Sequence, residues 1–112
     1  MKMLRCVVQP YKMEDLRAAL EDIEVVGMTI YEVKGHGRQK GHKEIYRGAE
    51  YQVSFVPKMM VEVALPDDRV DEVVEKIIQT IRTGQIGDGK IFITDLEEVV
   101  RIRTTERGVD AL

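Results

Sequence analysis

The stretch MMVEVALPDDRVDEVVEKIIQTI, from Met59 to Ile81, contains a strand pattern that runs directly into a helix pattern. In its first part the apolar residues Val61, Val63 and Leu65 stand at every second position, the period of a half-buried strand. In its second part apolar residues recur at the spacing of one helical face; they are Val70, Val73, Val74, Ile77, Ile78 and Ile81. We therefore predict a strand over residues 59–65 and a helix over residues 70–81 with these six side chains buried.

Residues on either side mark the ends of this helix. Pro66-Asp67-Asp68 precedes it, and the side chain of either Asp is suited to cap the first turn. Gly84 follows it and is typical of a helix exit.

The first half of the chain repeats the arrangement. Residues 3–8 are a short β-rich run, residues 13–25 have Leu16, Leu20 and Ile23 on one helical face, and residues 28–33 again have strand character. Ile91-Phe92-Ile93 supplies a fourth strand. The order βαββαβ predicts a single α+β domain over residues 1–112, a ferredoxin-like sandwich with both helices on one face of a four-stranded antiparallel sheet. An apolar sheet face seldom stays exposed, so the other face favours an oligomer.

A long polar excursion separates the two halves. It spans 23 residues, from Gly35 to Pro57, between the second and third strands of the sheet. Loops of this length in a compact domain are usually functional or disordered. The segment from Lys34 to Lys58 carries a net charge of +4, whereas the rest of the chain carries −7, for a total of −3. A basic loop on an acidic body suggests an anionic ligand or partner, although a solvated lysine-rich loop is the plain alternative.

Composition limits the class of protein. Cys6 is the single cysteine, so no internal disulfide can form, and its place in an apolar run predicts burial. No apolar run is long enough for a membrane span, and Lys2 and Arg5 interrupt the start of the chain too early for a targeting segment. We expect a cytoplasmic protein with no direct membrane insertion.

Two glycine-rich segments have residues suited to anion binding. Gly87-Asp88-Gly89-Lys90 offers backbone N–H groups and a cation, but Asp-Gly is also a common turn pair. GHGRQKG at residues 35–41 allows close approach of the backbone and a bidentate grip by Arg38, or is simply a flexible loop stem.

A third candidate lies near the end of the sequence. Arg101 and Arg103 alternate along a strand-like segment, which predicts both side chains on one side. A ligand phosphate would hold two guanidinium groups together, and the internal alternatives are Glu97, Glu98 and Glu106.

Other chemistries find less support. His36 and His42 have no companion residues at metal-ligand spacing, and no Ser–His–acid or Cys–His arrangement is suggested by spacing. The strand at residues 59–65 has no aromatic residue to stack on bases, which argues against nucleic-acid binding.

Several of these segments together resemble the signatures of one family. YRGAEY at residues 46–51 resembles the modification-loop signature of the PII (P-II) nitrogen-regulatory signal-transduction proteins, and TGQIGDGKIFI at residues 83–93 resembles their second signature. KGHGRQKG at residues 34–41, Pro57-Lys58 and Arg101-Ile102-Arg103 fit in the same order and spacing. The resemblance covers essentially the whole chain.

The resemblance implies a homotrimer that binds ATP or ADP competitively in clefts between subunits. The residues it implies around the nucleotide phosphates are Gly37, Arg38, Gly87, Asp88, Gly89, Lys90, Arg101 and Arg103. On the adenine side it implies Thr29, Glu62 and Ala64.

It also implies that 2-oxoglutarate binds beside Mg-ATP. Gln39 would help to ligate Mg²⁺, Lys58 would pair with a carboxylate, and Lys40, Gly41 and Gly87 would assist. Because octahedral Mg²⁺ shared with phosphates needs few protein ligands, one side-chain amide is a reasonable contribution.

The excursion corresponds to the output element of the family, the T-loop, here residues 36–56. Half of the excursion, fully extended, reaches at most ~35–40 Å from the body. The resemblance implies that Tyr51 is the position that is uridylylated in bacterial relatives and that Arg47 is the position that enters the mouth of an ammonium channel. The implied partners are an ammonium channel, a uridylyltransferase or nitrogen-assimilation enzymes.

Three positions depart from the family pattern. Ala49 stands where some relatives carry a phosphorylated serine, which excludes that control. Gln9 replaces a basic residue common in relatives and raises the question of a weaker 2-oxoglutarate pocket. Thr105 stands where a glycine often follows the Arg-x-Arg-Thr run.

Three hypotheses for function follow. The leading one is a non-enzymatic sensor of ATP/ADP and 2-oxoglutarate that regulates nitrogen metabolism through its loop. The second is a slow nucleotide hydrolase, for which no base to position water is evident. The third is an adaptor whose loop binds protein without any ligand.

Overall fold

The computed structural model of the chain describes residues 1–36, 43–46, 49–52 and 55–112. Its strands and α-helices in chain order are β1 (Lys2–Val8), α1 (Met13–Asp22), β2 (Thr29–Gly35), β3 (Lys43–Tyr46), β4 (Ala49–Gln52), β5 (Val56–Leu65), α2 (Val70–Ile81) and β6 (Lys90–Asp95). Short 3₁₀ turns cover Pro10–Lys12, Asp67–Arg69 and Gly108–Ala111.

Four strands form the main sheet in the order β2-β5-β1-β6, and each neighbouring pair is antiparallel. The first strands of the two halves, β1 and β5, are therefore central, and the helices connect each of them to an edge strand. This confirms the predicted ferredoxin-like α+β fold. The backbones of β3 and β4 pair with each other inside the excursion, with Tyr51 opposite Glu44. The sequence analysis did not predict this hairpin.

The core lies between the helices and one face of the sheet. Alternate residues of the two central strands are buried there; they are Leu4, Cys6, Val8, Val61, Val63 and Leu65. Leu16 and Leu20 of α1 and Val73 and Ile77 of α2 cover them. Burial raises the pKa of the Cys6 thiol to about 11, so the prediction that Cys6 is buried is confirmed.

The bounds of α2 match the sequence prediction, but two details differ. Val73, Ile77 and Ile81 are buried, whereas Ile78 is 39% exposed and lines an open groove between α2 and β6. Neither predicted Asp caps the helix, since Asp67 and Asp68 lie in the preceding 3₁₀ turn and Arg69 occupies the N-cap position. That turn is closed by a 3.1 Å hydrogen bond from the Arg69 N–H to the Pro66 carbonyl.

The first helix ends three residues before its predicted limit. Glu24 has φ +64, and hydrogen bonds from Glu24 N to Glu21 O (2.9 Å) and from Val25 N to Leu20 O (2.8 Å) close the helix. This is the Schellman arrangement, in which glycine usually occupies the left-handed position. The apolar spacing in the sequence continues past Asp22, but the helix ends there because the backbone reverses direction at Glu24.

The predicted strand around Arg101 and Arg103 is wrong. Residues 102–104 form a turn, closed by hydrogen bonds from Thr105 N to Arg101 O (2.8 Å) and from Arg101 N to Glu106 O (2.9 Å). Thr105 has φ +61, a conformation that is strained for a β-branched residue. The two arginines are therefore not alternate residues of one strand.

The sheet face without helices carries a mixture of apolar and polar groups. Phe92 is 49% exposed and Tyr31 is 40% exposed. Glu62 accepts a hydrogen bond from Tyr31 and another from Arg5 Nε at 3.3 Å, and these bonds hold the pKa of the Glu62 carboxyl below its usual value. This face is the one on which the candidate site lies.

Candidate functional site

The loop between α2 and β6 is shaped by the Asp88 carboxylate. Its Oδ2 accepts hydrogen bonds from the backbone N–H groups of Thr83 (2.8 Å) and Gly84 (2.9 Å), and its Oδ1 accepts one from the Thr83 hydroxyl. The bonds from Thr83 hold the pKa of the Asp88 carboxyl below its usual value. The Asp88 carboxylate therefore accepts hydrogen bonds from residues of its own loop.

Glycine is required where this loop meets β1. Gly89 has φ +111, and a Cβ there would collide with the Val7 carbonyl oxygen and lie 3.0 Å from its carbon. Gly87 also has a positive φ, of +102. The glycines let the loop backbone lie directly on the end of β1.

A cleft of about 710 Å³ opens beside this loop on the helix-free sheet face. Its apolar lining is Val7, Val56, Ile86 and Phe92; its polar lining is His36, Lys58 and Lys90; and Gly35, Gly87 and Gly89 expose backbone between them. Apolar walls with a few convergent polar groups are typical of small-molecule sites. Two lysines make this cleft suitable for an anion.

Lys58 is the most buried charged residue among those the structure describes. It is 8% exposed, and burial lowers the pKa of its ammonium group. Its Nζ donates to the Gly87 carbonyl over 3.3 Å. Gly35 lies across the strand pair, and a Cβ there would lie 3.3 Å from Lys58 Cγ. Glycine at position 35 leaves room for the lysine stem to fold into the cleft.

Gln9 reaches the same carbonyl from the other side. It follows β1 directly, and its Nε2 donates to Gly87 O over 2.9 Å. The Gly87 carbonyl therefore accepts hydrogen bonds from both Gln9 and Lys58.

The structure brings together one group of the residues predicted from sequence. Lys58, Gly87, Gly89 and Lys90 line the cleft. Asp88 lies on the opposite side of the loop and lines a second groove between α2 and β6.

A second group of the residues predicted from sequence lies outside the cleft. Thr29 and Glu62 are direct neighbours across the β2–β5 pair, and Ala64 pairs with Met3 further along β5. They are near the opposite end of the sheet and do not line the cleft.

Arg101 and Arg103 also lie away from the cleft lining, in the turn that follows β6. Arg101 donates from Nη1 to Glu106 Oε1 at 3.3 Å and from Nη2 to Leu112 O at 2.7 Å. Glu106 is one of the internal partners that the sequence analysis considered.

The remaining predicted residues fall on the excursion. Gly37, Arg38, Gln39, Lys40, Gly41 and Arg47 lie outside the described residues. Tyr51 is described only through its backbone, in β4.

The apolar walls of the cleft were not predicted from the sequence. Lys90 and Phe92 share a face of β6, and Val7 pairs with Lys90 across β1. The two-residue period of β6 indicated that Lys90 and Phe92 lie on the same face of the strand. The pairing of β6 with β1 could not be deduced from that period.

Comparison with known proteins decides the family. The model of the family described as "Nitrogen regulatory protein P-II" matches residues 1–106. The chain belongs to the P-II family. It is 55% identical to "Nitrogen regulatory protein P-II 1" of Escherichia coli strain K12, over 100% of both chains. It is 54% identical to "Nitrogen regulatory protein P-II" of Haemophilus influenzae and 51% identical to that of Pasteurella multocida, again over 100% of both chains.

Membership confirms the broad functional prediction. P-II proteins are regulatory signalling proteins of nitrogen metabolism rather than enzymes, so the hydrolase hypothesis is set aside. Among the described residues, no helix is both long and apolar enough to span a bilayer.

Proposed function

We propose that this P-II chain senses ATP or ADP together with 2-oxoglutarate and controls partner proteins through the loop at residues 36–56. The observation that carries the proposal is the cleft in which Lys58 and Lys90 face a glycine backbone. Nucleotides and 2-oxoglutarate are anions, and this cleft combines two lysines with glycine backbone that an anion can approach closely.

The nucleotide would bind between subunits of a homotrimer. Gly87, Gly89 and Lys90 would hold phosphate through backbone and ammonium groups, joined by Gly37 and Arg38 and by the backbone of Asp88. The neighbouring subunit would supply Thr29, Glu62, Ala64, Arg101 and Arg103. Thr29, Glu62 and Ala64 do not line the cleft of their own chain, which supports a contribution from a neighbouring subunit.

The exposed aromatic residues of the helix-free sheet face support the trimer. Phe92 and Tyr31 leave apolar surface open in the single chain, and such a face is usually covered by another subunit.

The 2-oxoglutarate would bind next to the nucleotide in the presence of Mg²⁺. Lys58 would pair with one carboxylate, and backbone groups of Lys40, Gly41 and Gly87 would assist. Gln39 would ligate Mg²⁺ through its side-chain oxygen, with phosphate oxygens and water completing the shell. Burial of Lys58 supports this role, since a desolvated ammonium gains most from an anionic partner.

The loop would report ligand occupancy to a partner. Ordering or release of a segment is a common switching device. Arg47 would contact the partner, which is an ammonium channel, a uridylyltransferase or a nitrogen-assimilation enzyme, and Tyr51 would be the site of uridylylation. These partners would place the protein in the cytoplasm.

Calorimetry tests the sensor directly. The wild type is expected to bind ATP and ADP at one shared site, and 2-oxoglutarate only when Mg-ATP is present. Lys90→Ala should weaken ATP binding by roughly tenfold, the scale of one charged hydrogen bond. Lys76→Ala, which removes a lysine on α2 paired with Asp22 at 3.6 Å, serves as the matched control and should leave binding unchanged.

Two results would refute parts of this proposal. A wild type that binds no nucleotide eliminates the sensor and favours the adaptor. A light-scattering mass near 12.8 kDa, rather than about three times that value, eliminates the trimer and the shared site.

A further inference from the structure

The Gly87 carbonyl is a shared acceptor at the floor of the cleft. Gln9 Nε2 donates to it over 2.9 Å, and Lys58 Nζ donates to it over 3.3 Å. Gly87 belongs to the loop proposed to hold nucleotide phosphate, whereas Lys58 is proposed to hold the dicarboxylate. This carbonyl therefore connects the two halves of the effector site.

Gln9 is held firmly in its place. It ends β1, and its own carbonyl accepts a 3.0 Å hydrogen bond from Lys12 N in the 3₁₀ turn that follows. Gly89 seats the loop on the backbone of Val7, two residues before Gln9. A side chain of this length at position 9 therefore reaches the Gly87 carbonyl without distortion of either segment.

An anion in the cleft competes with this carbonyl for Lys58. When the ammonium turns to a carboxylate, the Gly87 oxygen loses one donor, and an unsatisfied carbonyl in a partly buried position is unfavourable. Its partial negative charge would also face the incoming anion. A second donor that stays on the oxygen removes both difficulties.

We propose that Gln9 is the positioning residue that keeps the Gly87 carbonyl satisfied, so that Lys58 is released to a dicarboxylate. This inference rests on the proposed function. Gln9 replaces the basic residue that is common in relatives at this position. On this proposal its amide maintains the 2-oxoglutarate pocket through a neutral hydrogen bond to the Gly87 carbonyl. Nucleotide binding, which would use backbone N–H groups of the loop and the Lys90 ammonium rather than the Gly87 carbonyl, depends little on Gln9.

The decisive variant is Gln9→Leu, which keeps the approximate size of the side chain and removes the donor. In calorimetry it should weaken 2-oxoglutarate binding in the presence of Mg-ATP by roughly 5- to 30-fold. ATP binding should change less than twofold. Gln9→Lys restores a donor of sufficient length and should recover 2-oxoglutarate binding. Gln79→Leu is the matched control, because the Gln79 amide bonds Glu75 on the exposed side of α2 at 3.2 Å.

Equal loss of ATP and 2-oxoglutarate affinity in Gln9→Leu would overturn the proposal, since Gln9 would then only support the loop. Unchanged 2-oxoglutarate affinity would overturn it as well. If the wild type binds neither ligand, the proposed sensor function is refuted. The role of Gln9 is then tested by a measurement that needs no ligand, the pKa of Lys58. Lysine side-chain NMR should show a higher Lys58 pKa in Gln9→Leu, because the carbonyl then bonds the ammonium more strongly. An unchanged Lys58 pKa would overturn the proposal in that case.

Discussion

The loop from Thr83 to Lys90 and the turn from Arg101 to Gly108 both contain residues with positive φ, but they place different residue types at those positions. In the loop, the residues with positive φ are Gly84, Gly87 and Gly89. In the turn, positive φ falls on Thr105 as well as on Gly108. The loop borders the cleft, and its backbone carries little strain because its positive-φ residues are glycines. The turn, in contrast, holds a threonine in this strained conformation. The contrast predicts that substitutions at the positive-φ residues Gly89 and Thr105 change stability in opposite directions.

The largest effect is expected for Gly89→Ala. The new methyl group would collide with the Val7 backbone, so the loop must move away from β1. We expect a loss of at least ~2 kcal/mol in the free energy of unfolding, measured by urea denaturation, together with loss of ligand binding.

Gly27→Ala is the matched control for this substitution, because nothing lies within 4 Å of a Cβ at that position. Equal stability of the two alanine variants would show that the loop is not seated on β1 as described.

A smaller effect is expected for Asp88→Asn. The ionised carboxylate accepts the Thr83 and Gly84 bonds, and its pKa is lowered from 3.8 in the folded chain. A lowered carboxyl pKa stabilises the fold above about pH 4 and this contribution is lost as the pH falls through the folded value. The variant should therefore unfold at a lower urea concentration than the wild type at pH 7, and the gap should close as the pH falls through the lowered pKa of Asp88 in the folded protein.

Asp68→Asn changes an exposed carboxylate in the 3₁₀ turn before α2 and serves as the control. A gap between Asp88→Asn and the wild type that did not narrow as the pH was lowered from about 7 until the Asp88 carboxyl is protonated would contradict the assigned role of the carboxylate.

The smallest effect has the opposite sign. Thr105→Gly removes the strain of a β-branched residue at φ +61 and should raise the free energy of unfolding by about 1 kcal/mol. Thermal unfolding followed by circular dichroism measures it.

Thr104→Gly, one residue earlier, provides the contrast. The Thr104 hydroxyl accepts a 3.3 Å hydrogen bond from Glu106 N, so its loss should destabilise the turn. If both glycine variants destabilised the protein, Thr105 would not be a site of strain.

Local periodicity was sufficient to predict most of the fold. The helical spacing from Val70 to Ile81 predicted the bounds of α2, and the alternation around Val61 predicted β5 except for its first three residues, which begin at Val56. Backbone reversals were harder to predict, because Glu24 and Thr105 adopt positive φ without the glycine that normally signals it. The apparent strand at Arg101 failed for the same reason.

The candidate site was predictable only in part. Gly87, Gly89 and Lys90 were singled out from their residue types and Lys58 from the family resemblance, and the fold brings them into one cleft. The contact between Gln9 and Gly87 joins residues 78 positions apart, and no local pattern contains it. Phe92 was assigned only to a strand, since its role as a wall depends on which strand lies beside β6.

The burial of Cys6 has a consequence for redox chemistry. Its thiol is 1% exposed with a pKa of about 11, so at neutral pH almost none of it is the thiolate that reacts with oxidants or disulfides. It is also the single cysteine in the sequence. The Cys6 thiol of the folded protein is therefore protected from oxidation.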